Sequence, residues 1–242
     1  MDIVLLAAGL GTRFGGPKQL HPIGPNGETM AELTAKEAFS AGFDRVILIH
    51  RPEHRGIWLE KIRHFSLPTV LVPQKDPKGT AHALLQAHPY LTESYAVANA
   101  DDEYGSIWST AVDQLNSLQS LLIAYPLSAV LSPNGFVNRC LLTCDDDGML
   151  LSLEERTQLS IDSPECGSQR LVSMNAWIFH PSIHPLWEEA WAFHNKKVKS
   201  TEFGIPEAVE WAIKGGHRIK VVPGGKAWRG LTYKMDVEQW KT

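Results

Sequence analysis

The strongest constraint on this chain is the alternation of two hydrophobic periods through its first half. Short apolar or β-branched runs occur at residues 3–8, 46–49, 69–72, 95–98 and 121–125. Helical patterns lie between them. Residues 29–41 are Ala-rich, place Glu32 and Lys36 at i, i+4 and stop before Gly42. Residues 53–64 set Trp58, Ile62 and Phe65 on one face, and 80–88 and 107–118 (through Leu118) repeat an apolar stripe. Strand, helix and strand, four times over, predict right-handed crossovers and a mostly parallel sheet.

After residue 126 the rhythm breaks. "SPNG", "CDDDG" and "DSPECG" separate short runs that read as hairpins. A strand at 171–179, helices at 186–194 and 206–214 and a last strand at 218–222 follow. No repeat or low-complexity linker divides the chain. The expectation is one α/β domain over 1–242, a Rossmann-like (GT-A type) three-layer sandwich. Its mostly parallel mixed central sheet would carry helices on both faces. Residues 1–125 would form one half and 126–242 a second that extends the same sheet.

In doubly wound sheets ligands sit beyond the carboxyl ends of the strands. The first strand runs into "LLAAGLGTRFGGPKQL". A dinucleotide fingerprint needs G-x-G-x-x-G opening into a helix. Gly9, Gly11 and Gly15 give G-x-G-x-x-x-G, and Pro17 follows instead. A Walker loop needs Gly-Lys-Ser/Thr, which is absent. What remains is a long glycine loop with two fixed cations, Arg13 and Lys18. Backbone amides cradle phosphate oxygens where glycine permits close approach. Arg offers a fork and Lys a point charge. The combination suits a triphosphate attacked at its α-phosphorus while pyrophosphate departs.

Two later strand ends carry polar clusters. "PQKDPKGTAHAL" follows the third run, with Pro73 and Pro77 delaying a helix that Thr80 then opens. "VANADDEYG" follows the fourth, and neighbouring carboxylates are costly unless solvated, paired or metal-bound. Opposite a triphosphate they suit Mg²⁺, which takes one or two carboxylates plus phosphate oxygens and water.

"LAAGLGTRFGGPKQL" resembles the signature of the sugar-1-phosphate nucleotidyltransferases, the pyrophosphorylases that make nucleoside-diphosphate sugars, of which this chain would be a divergent member. The resemblance implies a nucleotide-binding role for residues 1–125 and an acceptor-binding role for 126–242. It also implies that Arg13 and Lys18 neutralise the transferring phosphates. Ala7, Ala8, Gly9, Gly11 and Thr12 would hold the nucleotide. Gln74 would read the base, with Gly79 against it and Thr80 adjacent. Asp101 would bind Mg²⁺, with Asn99 facing the acceptor. Glu155, Arg156 and Asn175 would contact the sugar and its phosphate, Arg156 standing where the family has Lys. The family's second metal-binding Asp falls at Gly230 in "KAWRGLTYKMD", so either Asp236 reaches back as that ligand or one metal position is missing. Thr232 and Lys234 are further phosphate candidates.

The implied reaction transfers a nucleoside monophosphate from a triphosphate to a sugar-1-phosphate or similar phosphomonoester, releasing pyrophosphate. Two alternatives stay open: a GT-A type glycosyltransferase using a nucleotide sugar, to which Asp101 and Glu103 would supply the acids, and a non-catalytic nucleotide-binding homologue. Composition narrows the partners. A net charge of −4 gives no general attraction for nucleic acid. The apolar run 3–8 is too short for a signal peptide, and no stretch approaches the roughly 18–20 residues of a membrane span. Three cysteines, Cys140, Cys144 and Cys166, lack metal spacing and suit a reducing compartment, so a cytoplasmic protein is expected.

Overall fold

A computed structural model describes residues 1–115, 120–167, 170–197, 202–225 and 228–240. The apolar runs form β1 (Asp2–Ala7), β2 (Arg45–His50), β3 (Thr69–Pro73), β4 (Tyr95–Asn99) and β6 (Ser120–Pro126), with the two-residue β5 (Asp102–Glu103) just after β4. Their continuous apolarity reflects burial on both faces. In β1, Ile3, Leu5 and Ala7 join one core cluster and Val4 and Leu6 the other.

The second half adds β7 (Val137–Cys144), β8 (Leu150–Leu159), β9 (Leu171–Phe179), β10 (Ile219–Pro223) and β11 (Arg229–Gly230). The sheet order is β10-β6-β9-β4-β1-β2-β3. Neighbours in it are parallel except for β9, which runs antiparallel between β4 and β6. The β7–β8 hairpin hangs from β9, and β11 pairs with β5. Strands from both halves thus share one mixed, mostly parallel sheet.

Helices cover both faces. On one side lie α1 (Met30–Ser40), α2 (Arg55–Lys61) and α4 (Ile107–Asp113), burying Ala31, Ala35, Trp58, Trp108 and Ala111. On the other lie α3 (Thr80–Ala87), α5 (His184–Lys197) and α6 (Ile205–Lys214), burying Leu84, Trp187 and Val209. The α/β three-layer expectation holds.

Three local expectations change. Glu32 does not serve Lys36: its carboxylate closes a capping box with Thr29 and lies 3.6 Å from Lys61. The 53–64 pattern divides into α2 between the 3-10 turns Pro52–His54 and Ile62–His64. The helix expected at 107–118 ends at Asp113, and Leu118 lies outside the described residues. No described helix is long and apolar enough to cross a membrane.

Candidate active site

The glycine loop leaves β1 and folds back on itself. Gly11 has φ +63°, and a Cβ there would collide with the carbonyl of Gly16. The Gly11 carbonyl accepts from the amides of Phe14, Gly15 and Gly16 at 3.0–3.3 Å. That closure turns the loop outward, and the amides of residues 10–13 donate to no described residue. Gln19, to which the sequence gave no role, is buried and staples the loop's base: its Nε2 donates to the carbonyls of Ala7 (2.9 Å) and Gly9 (3.3 Å). Arg13 reaches across to the carbonyl of Phe136 at 3.4 Å, just before β7.

Lys18 joins the loop to the end of β4. Its ammonium pairs with Asp101 and donates to the Leu231 carbonyl at 3.0 Å, while the Leu231 amide donates to the Asp101 carbonyl at 3.1 Å. Burial pulls the Lys18 pKa down, and the charge and hydrogen bond of Asp101 more than offset it, so the net shift is upward. Lys18 is a fixed cation at neutral pH.

Asp102 is buried, pushed up in pKa first by burial and then by the Asp101 charge. Its Oδ2 accepts from Asn99 Nδ2 at 2.8 Å, and Asn99 Oδ1 accepts from Asn175 Nδ2 at 3.2 Å. A register shift in the β6–β9 pairing, where Ile123 faces Ala176 but Ala124 faces Ser173, bulges out Met174 and Asn175. Asn175 takes φ +58°, which asparagine tolerates better than most side chains. The bulge aims that amide at Asn99.

Asn99 and Asn175 line a cleft of about 380 Å³ that also takes in Thr80, Arg139, Glu155 and Glu202. Glu155 is therefore on the cleft wall. Arg156 is not: one residue along β8, it is absent from the cleft wall, pairs with Glu154 at 3.1 Å and stands opposite Arg139 in the β7–β8 register. The cation on the cleft wall is Arg139, which the sequence reading missed for want of any local motif.

Other expected site residues bond within the protein. Gln74 is buried and donates from Nε2 to the Gly79 carbonyl and to His82 Nδ1, both at 3.0 Å, so its NH₂ is committed within the protein. Gly79, at φ +101°, turns its Cβ position against the Phe203 backbone, and the Thr80 hydroxyl accepts from the Ile205 amide at the start of α6 (3.0 Å). These two residues hold α3 to α6. Asp236 does not reach Asp101 as a ligand: Oδ1 accepts from Asn134 Nδ2, and Oδ2 from the amides of Thr232 and Tyr233, each at 2.7 Å. It caps its own turn, and the Thr232 amide is spent there too.

Gly230 has a reason of its own. It faces Asp102 across the β5–β11 pair, and a Cβ would stand 2.5 Å from Asp102 Oδ1 and collide with the Trp228 ring. No cluster of three or more candidate metal ligands occurs among the described residues.

Loop, strand end and cleft gather at the carboxyl edge of an α/β sheet, the edge where such sheets take their ligands. Residues 3–104 match the MobA-like NTP transferase domain. The chain is 30% identical over 137 residues to the bifunctional protein GlmU of Buchnera aphidicola subsp. Acyrthosiphon pisum. That match covers 55% of this chain and 29% of GlmU, so it spans under a third of the relative's length. Among solved structures, the inositol-1-phosphate CTP transferase of T. maritima superposes with TM-score 0.77 at 13% identity, covering 99% of this chain and 94% of that one. A UDP-glucose pyrophosphorylase complexed with UDP-glucose gives 0.73 at 19% identity, covering 99% and 96%. The resemblance read from the glycine loop is sustained, and the fold is that of the nucleotidyltransferases.

Proposed function

We propose that this chain transfers a nucleoside monophosphate from a triphosphate to a sugar-1-phosphate or similar phosphomonoester, releasing pyrophosphate. The observation that carries the reading is the Lys18–Asp101 pair, which locks a cation of the outward-facing glycine loop to a carboxylate at the end of β4. The names of the structural neighbours, a CTP transferase acting on inositol-1-phosphate and a pyrophosphorylase holding UDP-glucose, support the same pair of substrate classes.

An anionic oxygen of the acceptor phosphate attacks the α-phosphorus, and the bond to the pyrophosphate oxygen breaks in line. The attacker is already ionised, so no protein nucleophile is required, and the work is positioning and charge neutralisation. Amides of residues 10–13 face the triphosphate, Lys18 sits at the reacting phosphates and Arg13 steadies the departing pyrophosphate. Asn99, Asn175 and Glu155 receive the acceptor's hydroxyls.

The donor set suits one Mg²⁺. The Asp101 side chain is held by Lys18 rather than by backbone donors, and such a carboxylate, completed by phosphate oxygens and water, fits the ion's preference. When bound, Mg²⁺ supplies neutralising charge on the phosphates. The cysteines Cys140, Cys144 and Cys166 are unpaired, which fits a reducing, cytoplasmic setting.

A matrix of five nucleoside triphosphates against a panel of phosphomonoesters, with Mg²⁺, tests the proposal by pyrophosphate release. Release that requires both one triphosphate and one acceptor is expected. None across the matrix, or release indifferent to the acceptor, overturns it.

A further inference from the structure

Arg139 is a cation that the glycine loop and the Asp101 turn do not account for. Its Nε and Nη2 donate to the Val130 carbonyl, the former at 2.9 Å, and Nη1 donates to the Asn138 carbonyl at 2.9 Å. The guanidinium lies 5.3 Å from the centroid of the Trp228 ring. Three of its five N–H groups are thus committed, leaving one on each terminal nitrogen. Among the described residues no carboxylate forms an ion pair with it; Asp102 and Asp236 act on it only through their fields. Burial lowers its pKa to about 10, which leaves it charged at neutral pH.

Its position is more telling than its bonds. Arg139 borders the acceptor cleft on one side and the recess beneath Gly230 and Thr232 on the other. Arg13 repels both Arg139 and Lys18, so the three cations lie within electrostatic reach of one another. Of these only Lys18 has a carboxylate partner. An arginine kept for solubility extends into water, and one kept for structure pairs with an acid. This one is fixed by backbone carbonyls and lies over an indole, drawn by the field of Asp102 and repelled by Arg13. No carboxylate of the described residues is in contact, so its two remaining N–H groups are open to an anion.

We infer that Arg139 grips the phosphate of the acceptor, the task for which the resemblance offered Arg156, its cross-strand neighbour on β8. The inference rests on the nucleotidyl-transfer reading for the identity of the anion. The acceptor rather than the triphosphate is assigned because Arg139 shares its cleft with Asn175 and Glu155, while the triphosphate loop carries Arg13 and Lys18.

The test is calorimetric titration of wild type, R139Q, R139K and R156Q with inorganic phosphate, with glucose 1-phosphate and with the triphosphate that wild type binds most tightly. R139Q is expected to lose at least tenfold in affinity for the two monophosphates and less than threefold for the triphosphate. R156Q should bind all three as wild type does. R139K keeps the charge without the fork and should fall between. Should R139Q fail to fold, R139K decides alone, and wild-type affinity for both monophosphates in it overturns the inference. So does unchanged monophosphate binding in R139Q, or an equal loss for monophosphates and triphosphate, which marks a structural role. A wild type that binds neither monophosphate also overturns it and leaves nucleotidyl transfer to the pyrophosphate matrix. Arg139-dependent phosphate binding without pyrophosphate release keeps the anion site and removes the reaction.

Discussion

Lys18 and Asp101 each hold the other in place, yet their roles separate on mutation. Both are partly exposed rather than part of the apolar core, so K18A and D101N should melt within a few degrees of wild type. Removing one charge contact to the reacting phosphates typically costs on the order of 10²–10³ in rate. Pyrophosphate release should fall by that factor in each variant, and near wild-type turnover in either would remove the pair from the mechanism. Gly230 is a different kind of site residue, required by a neighbour and not by a ligand. G230A should destabilise by about 1–3 kcal/mol, the ordinary cost of overpacking, through the Asp102 and Trp228 contacts. The loss should shrink in a D102A background, because removing the carboxylate removes part of the clash; a double-mutant cycle in urea reads the coupling. Strict additivity would show that Asp102 and Gly230 do not share that space.

At the scale of elements, what was legible in the sequence is what short stretches of chain decide. The β1 run and the glycine loop each act within a few residues, and both are where the sequence put them; the Thr29–Glu32 box is equally local but stands in place of the expected Glu32–Lys36 pair. T29A removes the side-chain acceptor for the Glu32 amide and one arm of that box, so α1 should lose about 1 kcal/mol in urea unfolding. A loss below 0.3 kcal/mol would mean that other contacts hold the helix start. What was not legible depends on which strand lies beside which. Arg139 becomes a site residue only because β7 hangs from β9 next to the Asn175 bulge. Gly230 becomes explicable only because β11 pairs with β5, whose facing residues Arg229 and Glu103 are 126 positions apart in the chain. Arg156 was misplaced because a resemblance supplies residue order, whereas Arg156 finds its ion-pair partner on its own strand, in Glu154. Asp236 was misplaced for the reverse reason: its turn offers two nearby amides, and a short acid beside free amides caps locally before it reaches across a site.

The whole molecule places its candidate phosphate site at one end of the sheet and a separate titratable cluster at the other. His184 donates to or accepts from Tyr95 at the start of β4 (3.0 Å) and stacks on His88, ring centroids 3.8 Å apart, against Trp187. Both ring nitrogens of His88 are buried without a hydrogen bond, and Glu188 stands 4.0 Å from Nδ1. Burial, then the neighbouring His184, pulls the His88 pKa down to about 3; burial, then His180, pulls His184 to about 4. The unfolded chain therefore binds protons at these positions from about pH 6.5 downward while the fold does not. Their contribution to stability is full above 6.5 and is lost as pH falls toward 4 and then 3. Glu37, raised to about 7 by burial and then by Glu103, and the raised Asp102 work with the opposite sign, since the fold holds their protons where the unfolded chain has released them. The net profile between pH 4 and 6.5 is a difference of these terms, so the histidines are isolated by substitution. H88F keeps a stacked ring and cannot titrate. Its urea-derived stability should vary with pH more shallowly over that window, by up to one proton's worth, about 1.4 kcal/mol per pH unit. An unchanged slope in H88F would show that His88 takes up its proton within the folded state at its ordinary pH.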